Sequence, residues 1–198
     1  MRIYLLRHGE TDWNVARRLQ GSMDIPLNAK GLDQAGWWRS YFASLPLAAV
    51  YSSSLDRALQ TSWLATGRSA CIIPGFNERG FGQWEGEQWQ NLEKTVSEFD
   101  DRWNDNSFYP PGGESRQGLF RRVEDALDQT IRRHPAGEDV LIVAHGASGH
   151  AILSSLLGQS IDARGSLPML RNAQLTIVEA GSGVGILVEQ LEPYSLPF

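Results

Sequence analysis

The sequence predicts an α/β protein organised around a parallel sheet, and three observations support this class. Two apolar runs, at 3–6 and 140–144, have the length of buried strands, and amphipathic helical patterns lie between and after them. His8-Gly9 follows the first run, and His145-Gly146 follows the second. Because open α/β sheets bind ligands at the carboxyl ends of their strands, both imidazoles are expected at one edge of the sheet.

The composition is that of a globular protein with no general affinity for polyanions. Its 198 residues, 41% of them hydrophobic, are enough for one large domain with a sizeable core. The formal net charge of −5 argues against nucleic acid or an anionic membrane as a partner. Any anionic ligand must therefore be bound by a local cluster of basic residues.

Two further features of the sequence bear on its cellular location. The single cysteine, Cys71, excludes an internal disulfide and a cysteine-based zinc site, and it fits a reducing compartment. The amino terminus lacks a signal-peptide pattern, and no run approaches the roughly 20 apolar residues that span a bilayer. We therefore expect a cytoplasmic protein.

The first half of the chain alternates predicted strands and helices. Thr11 and Asp12 are suited to cap a short helix, and Gly31 is expected to introduce a longer one whose aromatic residues belong to the core. In chain order, the predicted elements are a strand over 3–6, a helix over 15–19, a loop over 20–28, a helix over 32–43, a strand over 48–51, a helix from Asp56 and a strand over 70–74.

The second half combines a structured loop, a helical region and the remaining strands. The segment 76–86 has no helical or strand period, whereas 88–103 has the weak helical spacing of one or two helices. An amphipathic helix is predicted from Ser115 and ends before His134-Pro135, and a strand is predicted over 140–144. A helix then follows His145 and ends near Gly158. The last predicted elements are strands over 174–179 and 184–191 with a hairpin turn at 181–183, and a surface tail after Pro193.

Two of the four histidines are expected to be structural. His134 is interpreted as a solvated residue at a helix end. His150 lies five residues after His145, which is the wrong spacing for an i,i+4 metal pair.

Arg57 is the clearest candidate for anion binding outside the strand ends. It lies in the first turn of the helix predicted from Asp56, where the helix dipole disfavours a basic side chain. An anion in front of the helix explains this position, because a helix amino terminus with an arginine beside it is a ready anion site. Arg7 supplies a second guanidinium, so two positive charges match the charge of a phosphate monoester.

The chain resembles the histidine phosphatase superfamily, also called the phosphoglycerate mutase-like family, over nearly its whole length. It looks like a short member of the phosphatase type. The matching motifs are Arg-His-Gly-Glu at 7–10, Thr-Asp-Trp-Asn at 11–14, Gln-Gly at 20–21, Asp-Ile-Pro-Leu at 24–27, Ser-Ser-Ser-Leu-Asp-Arg-Ala at 52–58, Glu78, Phe-Gly-Gln-Trp-Glu-Gly at 81–86, Pro-Gly-Gly-Glu-Ser at 111–115 and Val-Ala-His-Gly at 143–146.

This resemblance implies a specific architecture. The fold would be a three-layer α/β arrangement, in which a central, mostly parallel sheet has helices on both faces and carries a small helical cap. The chain, 1–198, would be a single histidine phosphatase domain with the cap inserted at roughly 80–114.

The resemblance also implies a covalent mechanism that uses no metal and no cofactor. His8 would be the neutral nucleophile that forms a phosphohistidine, with its other ring nitrogen donating to a nearby backbone carbonyl. Arg7, Arg57 and His145 would surround the phosphoryl oxygens, and Asn14 would add a donor. The matching motifs also provide three expected phosphate- or substrate-binding residues: Gln20, Gly21 and Gly146.

Glu78 matches the acid/base position of the family. When protonated it would donate to the leaving-group oxygen, and when ionised it would accept a proton from the attacking water. The neighbouring aromatic residues Phe76, Phe81 and Trp84 are expected to give it apolar surroundings that favour the protonated form. The alternative is that Glu78 merely pairs with Arg79.

Three functions remain open at this point. The first is a phosphomonoesterase that hydrolyses a small phosphorylated metabolite, such as phosphoserine, α-ribazole phosphate, phosphoglycerate or a sugar phosphate. The second is a cofactor-dependent phosphoglycerate mutase, which the sequence disfavours because 81–87 lacks the arginine- and tyrosine-rich segment of mutases. The third is a non-catalytic phosphate-binding module, which would not require His8, Glu78 and His145 together. The sequence does not indicate the oligomeric state.

Overall fold

A six-stranded sheet forms the centre of the computed structural model, which describes residues 1–135, 137–162, 167, 169–181 and 183–195. Its strands are β1 (Arg2–Arg7), β2 (Ala49–Ser52), β3 (Cys71–Ile72), β4 (Val140–Ala144), β5 (Leu175–Glu179) and β6 (Ile186–Leu191). Their order is β3-β2-β4-β1-β5-β6. The first four strands are mutually parallel, whereas β5 is antiparallel to both β1 and β6, so the mostly parallel sheet is confirmed.

The two central strands, β1 and β4, end together. Their parallel register pairs Ile3 with Val140 and Arg7 with Ala144. His8 and His145 are the next residues in the two strands, and the backbone N–H of His8 donates to the carbonyl oxygen of Ala144 at 3.0 Å. The expectation that both histidines follow the strands at one edge of the sheet is therefore confirmed.

Helices cover both faces of this sheet. Within the described residues they are α1 (Asp12–Val15), α2 (Ala29–Ala43), α3 (Asp56–Thr66), α4 (Trp89–Thr95), α5 (Phe99–Asn104), α6 (Arg116–Arg132) and α7 (Gly146–Leu156). Alternate residues of β1 point to opposite faces. Ile3 and Leu5 pack in the core with α6 and α7, whereas Tyr4 and Leu6 pack in the core with α2 and α3. The predicted three-layer α/β fold is confirmed.

The helical cap consists of α4 and α5, which pack on an apolar cluster of their own. The buried members of this cluster are Phe81, Trp84, Leu92 and Phe99. The rings of Phe99 and Trp103 stack with their centroids 5.9 Å apart. The expected limits of the cap, 80–114, and the single-domain organisation stay predictions. None of the described helices is long and apolar enough to cross a bilayer.

Three elements begin or end away from their predicted limits. The short helix starts at Asp12 rather than at residue 15, because Thr11 Oγ1 accepts from the third N–H of the helix. Asn28 caps α2 in the same way, by accepting from the N–H of Gly31 at 2.8 Å, so Gly31 lies inside the helix that it was expected to introduce. The third strand is limited to two residues, because Pro74 begins a 3-10 turn and cannot donate to a strand ladder.

His134 is not the solvated residue that its position at the end of α6 predicted. Its side chain is 10% exposed. Nε2 lies 2.8 Å from the hydroxyl of Tyr51 in β2, and Nδ1 lies 3.1 Å from Glu138 Oε2. The end of α6 packs over the sheet, which the local sequence does not indicate. Residues 196–198 of the predicted surface tail and residue 182 of the predicted hairpin lie outside the described residues.

Candidate active site

A cleft of about 550 Å³ opens where β1 and β4 end. Eight of the nine residues singled out in the sequence line it: Arg7, His8, Asn14, Gln20, Gly21, Arg57, Glu78 and Gly146. The ninth, His145, is fully buried, and its ring centroid lies 5.1 Å from that of His8. The fold thus brings together residues from separate parts of the chain.

His8 contributes a neutral imidazole to the cleft. Its Nδ1 lies 2.7 Å from the carbonyl oxygen of Gly9. Because a carbonyl can only accept, Nδ1 carries the hydrogen and Nε2 keeps its lone pair. Burial, followed by the positive charges of Arg7 and Arg57, holds the pKa of His8 well below its usual value of 6.5. His8 is therefore neutral at pH 7, as a nucleophilic imidazole must be.

Hydrogen bonds from two distant segments hold the backbone around His8. Asn172 Nδ2 donates to the carbonyl oxygens of His8 and Gly9, at 3.2 and 3.3 Å. The N–H of Ala173 donates to the same His8 oxygen at 3.0 Å. On the other side, the N–H of Gly9 donates to Thr61 Oγ1 at 3.0 Å. These contacts fix the carbonyl that selects the His8 tautomer.

Both ring nitrogens of His145 contact other side chains. Arg57 Nε donates to Nδ1 at 3.2 Å, so the ring hydrogen resides on Nε2, which lies 2.6 Å from Ser53 Oγ. Burial and then the charge of Arg57 hold the pKa of His145 well below 6.5. His145 is therefore neutral in this arrangement, and its contacts orient the guanidinium of Arg57.

Arg57 is fully buried and is held by acceptors on all three of its nitrogens. Besides the bond to His145, Nη1 donates to the carbonyl oxygen of Met23 at 2.7 Å and Nη2 to that of Gly21 at 2.8 Å. Each Nη group carries a second hydrogen that a bound anion can accept. Burial lowers the pKa of Arg57, and the Glu78 carboxylate opposes this effect.

Arg7 supplies the second guanidinium of the cleft. Its Nη1 donates to the carbonyl oxygen of Leu170 at 2.5 Å. Its buried Nε has no hydrogen-bond partner among the described residues. Burial lowers the pKa of Arg7, again opposed by Glu78. Since buried donors are normally satisfied, Arg7 is suited to receive an anion.

The carboxylate of Glu78 lies at the amino terminus of α7. The N–H groups of Ala147 and Ser148 donate to Oε1 at 3.1 and 3.0 Å, and the N–H of Arg79 donates to the same oxygen at 2.9 Å. The expected apolar surroundings are therefore wrong, because backbone amides of α7 approach the carboxylate. The Arg79 guanidinium instead donates to the carbonyl oxygens of Glu114 and Phe108.

Arg122 holds the segment that carries Glu78. Its guanidinium donates to the carbonyl oxygens of Gly75, Asn77 and Glu78 at 2.9, 2.8 and 3.0 Å. It also forms a two-pronged ion pair with Glu114, at 2.7 and 2.8 Å. The position of Glu78 therefore depends on α6, which carries Arg122, as well as on α7.

Asn14, Gln20 and Gly21, which are expected to bind phosphate or substrate, differ in their contacts. Asn14 Oδ1 accepts from the N–H of Thr11 and from Asn172 Nδ2, both at 3.1 Å. Gln20 Oε1 is buried without a hydrogen-bond partner among the described residues. Gly21 has a φ of +55°, and a Cβ there would lie 2.1 Å from a Glu85 oxygen, so this position favours glycine.

Gly146 lies near two charged groups of the cleft. A Cβ on this residue would lie 3.5 Å from Glu78 Oε2 and 3.6 Å from Arg7 Cζ. The carboxylate and the guanidinium therefore face the same point at the start of α7.

The comparison with protein families agrees with this geometry. The family model described as the histidine phosphatase superfamily (branch 1) matches residues 3–191. The chain belongs to this superfamily.

Relatives of this histidine phosphatase include proteins named as mutases and as phosphatases. A probable phosphoglycerate mutase, GpmB, from Yersinia pestis (strain Pestoides F) is 34% identical, covering 90% of this chain and 85% of its own. The mycobacterial glucosyl-3-phosphoglycerate phosphatase Rv2419c, solved with VO3, is 27% identical with a TM-score of 0.85 over 94% of this chain and 96% of its own. The α-ribazole phosphatase from Shigella flexneri is 27% identical with a TM-score of 0.84 over 95% of each chain.

Some residues that hold the groups of the cleft in position were not assigned a function from the sequence. Ser53, Asn172 and Arg122 contact His145, the His8 backbone and the Glu78 segment from distant parts of the chain. Ser53 lies within the matching motif at 52–58, but no role was assigned to it from the sequence. His150 was expected to be structural, but it lines the cleft, because it follows Gly146 by one helical turn.

The part of the chain that the structure describes contains no group of three or more His, Cys, Asp or Glu side chains arranged to hold a metal ion. The metal-independent and cofactor-independent mechanism stays a prediction of the family resemblance.

The buried histidines of this histidine phosphatase make its stability depend on pH. The unfolded chain binds protons on His8 and His145 near pH 6.5, whereas the folded chain binds them only at lower pH. The free energy of unfolding should therefore fall as the pH drops below 6.5, by up to about 1.4 kcal/mol per pH unit for each histidine. Urea unfolding between pH 7.5 and 5.5 measures this slope. The slope should be shallower in His8→Asn, and parallel curves for the two proteins would contradict the assignment.

Proposed function

We propose that the protein is a phosphomonoesterase that hydrolyses a small phosphorylated metabolite through a phosphohistidine on His8. The observation that carries the proposal is the hydrogen bond from His8 Nδ1 to the Gly9 carbonyl, beside the guanidinium groups of Arg7 and of the fully buried Arg57. It leaves a neutral Nε2 lone pair in a cleft that is suited to a dianion. The phosphatases among the solved relatives support the same reaction class.

The first chemical step transfers the phosphoryl group to the enzyme. His8 Nε2 forms a bond to phosphorus while the bond from phosphorus to the leaving oxygen breaks. Glu78, protonated at this stage, donates its proton to that oxygen. A phosphate seated on Arg7 would lie next to Glu78 Oε2, since both groups face Gly146.

The second step releases inorganic phosphate. Water attacks phosphorus, the bond to His8 Nε2 breaks, and the ionised Glu78 accepts the proton of the water. The loose transition state of phosphoryl transfer spreads negative charge over the three equatorial oxygens, which Arg7 and Arg57 are placed to neutralise. His145 would donate to these oxygens only after a second proton reaches Nδ1, which now accepts from Arg57. Its role in this arrangement is to orient Arg57.

Replacing His8 tests the nucleophile. In His8→Ala, hydrolysis of an aryl phosphate should fall to the uncatalysed background, while the far-ultraviolet circular dichroism stays that of the parent. His134→Asn, which alters a histidine outside the cleft, is the matched control and should retain turnover. Turnover by His8→Ala at the parental rate would exclude a covalent intermediate on this residue.

Replacing Glu78 tests the acid. Glu78→Gln keeps the shape of the side chain but cannot donate a carboxyl proton. With an alkyl phosphate, whose leaving group needs a proton, kcat/KM should fall by about 100-fold or more, because this ratio reports the transfer to His8 and not the later attack of water. With a nitrophenyl phosphate, whose leaving group does not, the loss should be much smaller. Equal losses with both substrates would remove Glu78 from the role of acid.

The mutase alternative has one observation in its favour, the name of the Yersinia relative. A mutase must return the phosphoryl group to its substrate before water reaches it. We expect free phosphate to be released from 3-phosphoglycerate if it is a substrate, with no interconversion of the phosphoglycerates when 2,3-bisphosphoglycerate is added. Efficient interconversion that depends on bisphosphoglycerate would replace the phosphatase by the mutase. Binding of phosphate without either reaction would indicate the binding module.

The location of the protein stays a prediction. The single cysteine supports a reducing compartment such as the cytoplasm, where phosphorylated metabolites are found.

A further inference from the structure

Two carbonyl groups of one tight turn hold the guanidinium of Arg57. The turn covers residues 20–23 and is closed by a hydrogen bond from the N–H of Met23 to the carbonyl oxygen of Gln20 at 3.0 Å. The Gly21 carbonyl accepts from Nη2 of Arg57 at 2.8 Å, and the Met23 carbonyl accepts from Nη1 at 2.7 Å. The direction in which Arg57 presents its remaining hydrogens therefore depends on this turn, which we call the arginine turn.

The peptide group between Gly21 and Ser22 is the central peptide of the arginine turn. Gly21 has a φ of +55°, and the two turn types that start with a positive φ, I′ and II′, differ in the orientation of this peptide. The hydrogen bond that closes the turn joins its first and last residues, so it does not determine which orientation the central peptide takes. The Gly21 carbonyl points at Arg57 in only one of them. A contact from outside the turn is therefore needed to fix this peptide.

Glu85 supplies that contact. Its Oε1 accepts from the N–H of Ser22 at 2.9 Å and from the Ser22 hydroxyl at 2.8 Å. This N–H and the Gly21 carbonyl belong to the same peptide group. One peptide is thus held by Arg57 on one side and by Glu85 on the other. Hydrogen bonds to an ionised acceptor are roughly twice as strong as those between neutral groups, so Glu85 is suited to fix it.

The same oxygen of Glu85 joins the arginine turn to the loop that follows Glu78. The N–H of Phe81, three residues after Glu78, donates to Oε1 at 3.0 Å. A single carboxylate oxygen therefore connects the turn that holds Arg57 to the loop that carries the expected acid.

The position of the Glu85 oxygen matters more for Arg57 than its negative charge. Burial lowers the pKa of Arg57, and the carboxylates of Glu78 and Asp24 each oppose this effect more strongly than that of Glu85 does. The charge of Arg57 therefore depends mainly on other groups, whereas the orientation of the Gly21 carbonyl depends on Glu85.

We propose that Glu85 is a positioning residue of the reaction, which fixes the peptide between Gly21 and Ser22 and thereby aims the guanidinium of Arg57 at the phosphoryl oxygens. Glu85 is not among the described residues that line the cleft, so it acts without touching the substrate. Misplacement of a group in an active site by about 1 Å can cost about 100-fold in rate. This inference rests on the proposed phosphatase function and adds a residue to its machinery.

Three substitutions of Glu85 separate position from charge. Glu85→Gln keeps the acceptor oxygen without the charge, Glu85→Asp keeps the charge on a side chain that is one bond shorter, and Glu85→Ala removes both. For a nitrophenyl phosphate, kcat/KM should fall by about tenfold or more in the Asp and Ala variants, and by less than about threefold in the Gln variant. Glu87→Ala removes an exposed carboxylate two residues away and should keep the parental value. An Asp variant that is more active than the Gln variant would overturn the proposal.

A double-mutant cycle tests whether Glu85 acts through Arg57. Arg57→Gln alone should lower kcat/KM, and adding Glu85→Ala in that background should cause almost no further loss, because the group that Glu85 positions is then gone. Losses that multiply in the double variant would overturn the proposal, since they would show that Glu85 acts on something else. Urea unfolding of each variant establishes that the compared proteins are folded.

Binding of inorganic phosphate, measured by calorimetry, gives a readout that needs no turnover and no change of Arg57. The affinity should fall by about fivefold or more in Glu85→Ala and stay parental in Glu87→Ala. If the parent hydrolyses a nitrophenyl phosphate but Glu85→Ala binds phosphate as the parent does, the inference is overturned and the phosphatase stands. If the parent binds phosphate and hydrolyses no ester, the proposed function fails, and the affinities still decide whether Glu85 supports Arg57. If the parent does neither, both fail.

Discussion

The hydrogen bond between His8 Nδ1 and the carbonyl oxygen of Gly9 is the interaction on which the chemistry of the cleft depends. It assigns the hydrogen of a neutral imidazole to one nitrogen and leaves the lone pair on the other. A backbone carbonyl can impose this choice only if it is itself fixed. Asn172 and Thr61, from the loop before β5 and from α3, hold the peptide groups on either side of Gly9. The loop before β5 and helix α3 thus determine the tautomer of the His8 ring by fixing the main chain at Gly9.

The second requirement is to bury cationic groups without an acidic partner for each of them. Arg57 meets this requirement by donating to two loop carbonyl oxygens and to His145. None of its hydrogen bonds within the described residues is to a carboxylate, so its positive charge can act on a bound anion. Those carbonyls belong to the loop that the sequence places at 20–28. Burial, and then the same positive charges, keep both histidines neutral. The charges that bind an anion therefore also help to keep the nucleophile neutral.

The sequence could predict the parts of this structure that depend on local patterns. The apolar run 140–144 has the limits of β4, and the His-Gly pairs after two parallel strands indicated the sheet edge where the cleft lies. The contacts that complete the site were not predictable in this way. Ser53, Asn172 and Arg122 act through hydrogen bonds to residues far away in the chain, and a single serine, asparagine or arginine carries no period or spacing that reports such a bond.

The expectations that failed have the same cause. His134 and Glu78 were assigned surroundings from their neighbours in sequence, whereas Tyr51 and the amides of α7 surround them in space. His150 was given a structural role because its spacing from His145 excludes a metal pair, yet the turn of α7 places it in the cleft. Local sequence describes what a residue is able to do, and the packing of remote elements determines what it contacts.

The most direct test is to trap the phosphorylated enzyme and identify the modified atom. The protein is mixed rapidly with a ³²P-labelled phosphomonoester, quenched in base, digested and analysed for phosphohistidine at position 8. Because the Gly9 carbonyl holds the hydrogen on Nδ1, we predict that the label is on Nε2 of His8. Label on Nδ1, label on another residue, or turnover with no labelled enzyme at any time would contradict the central claim.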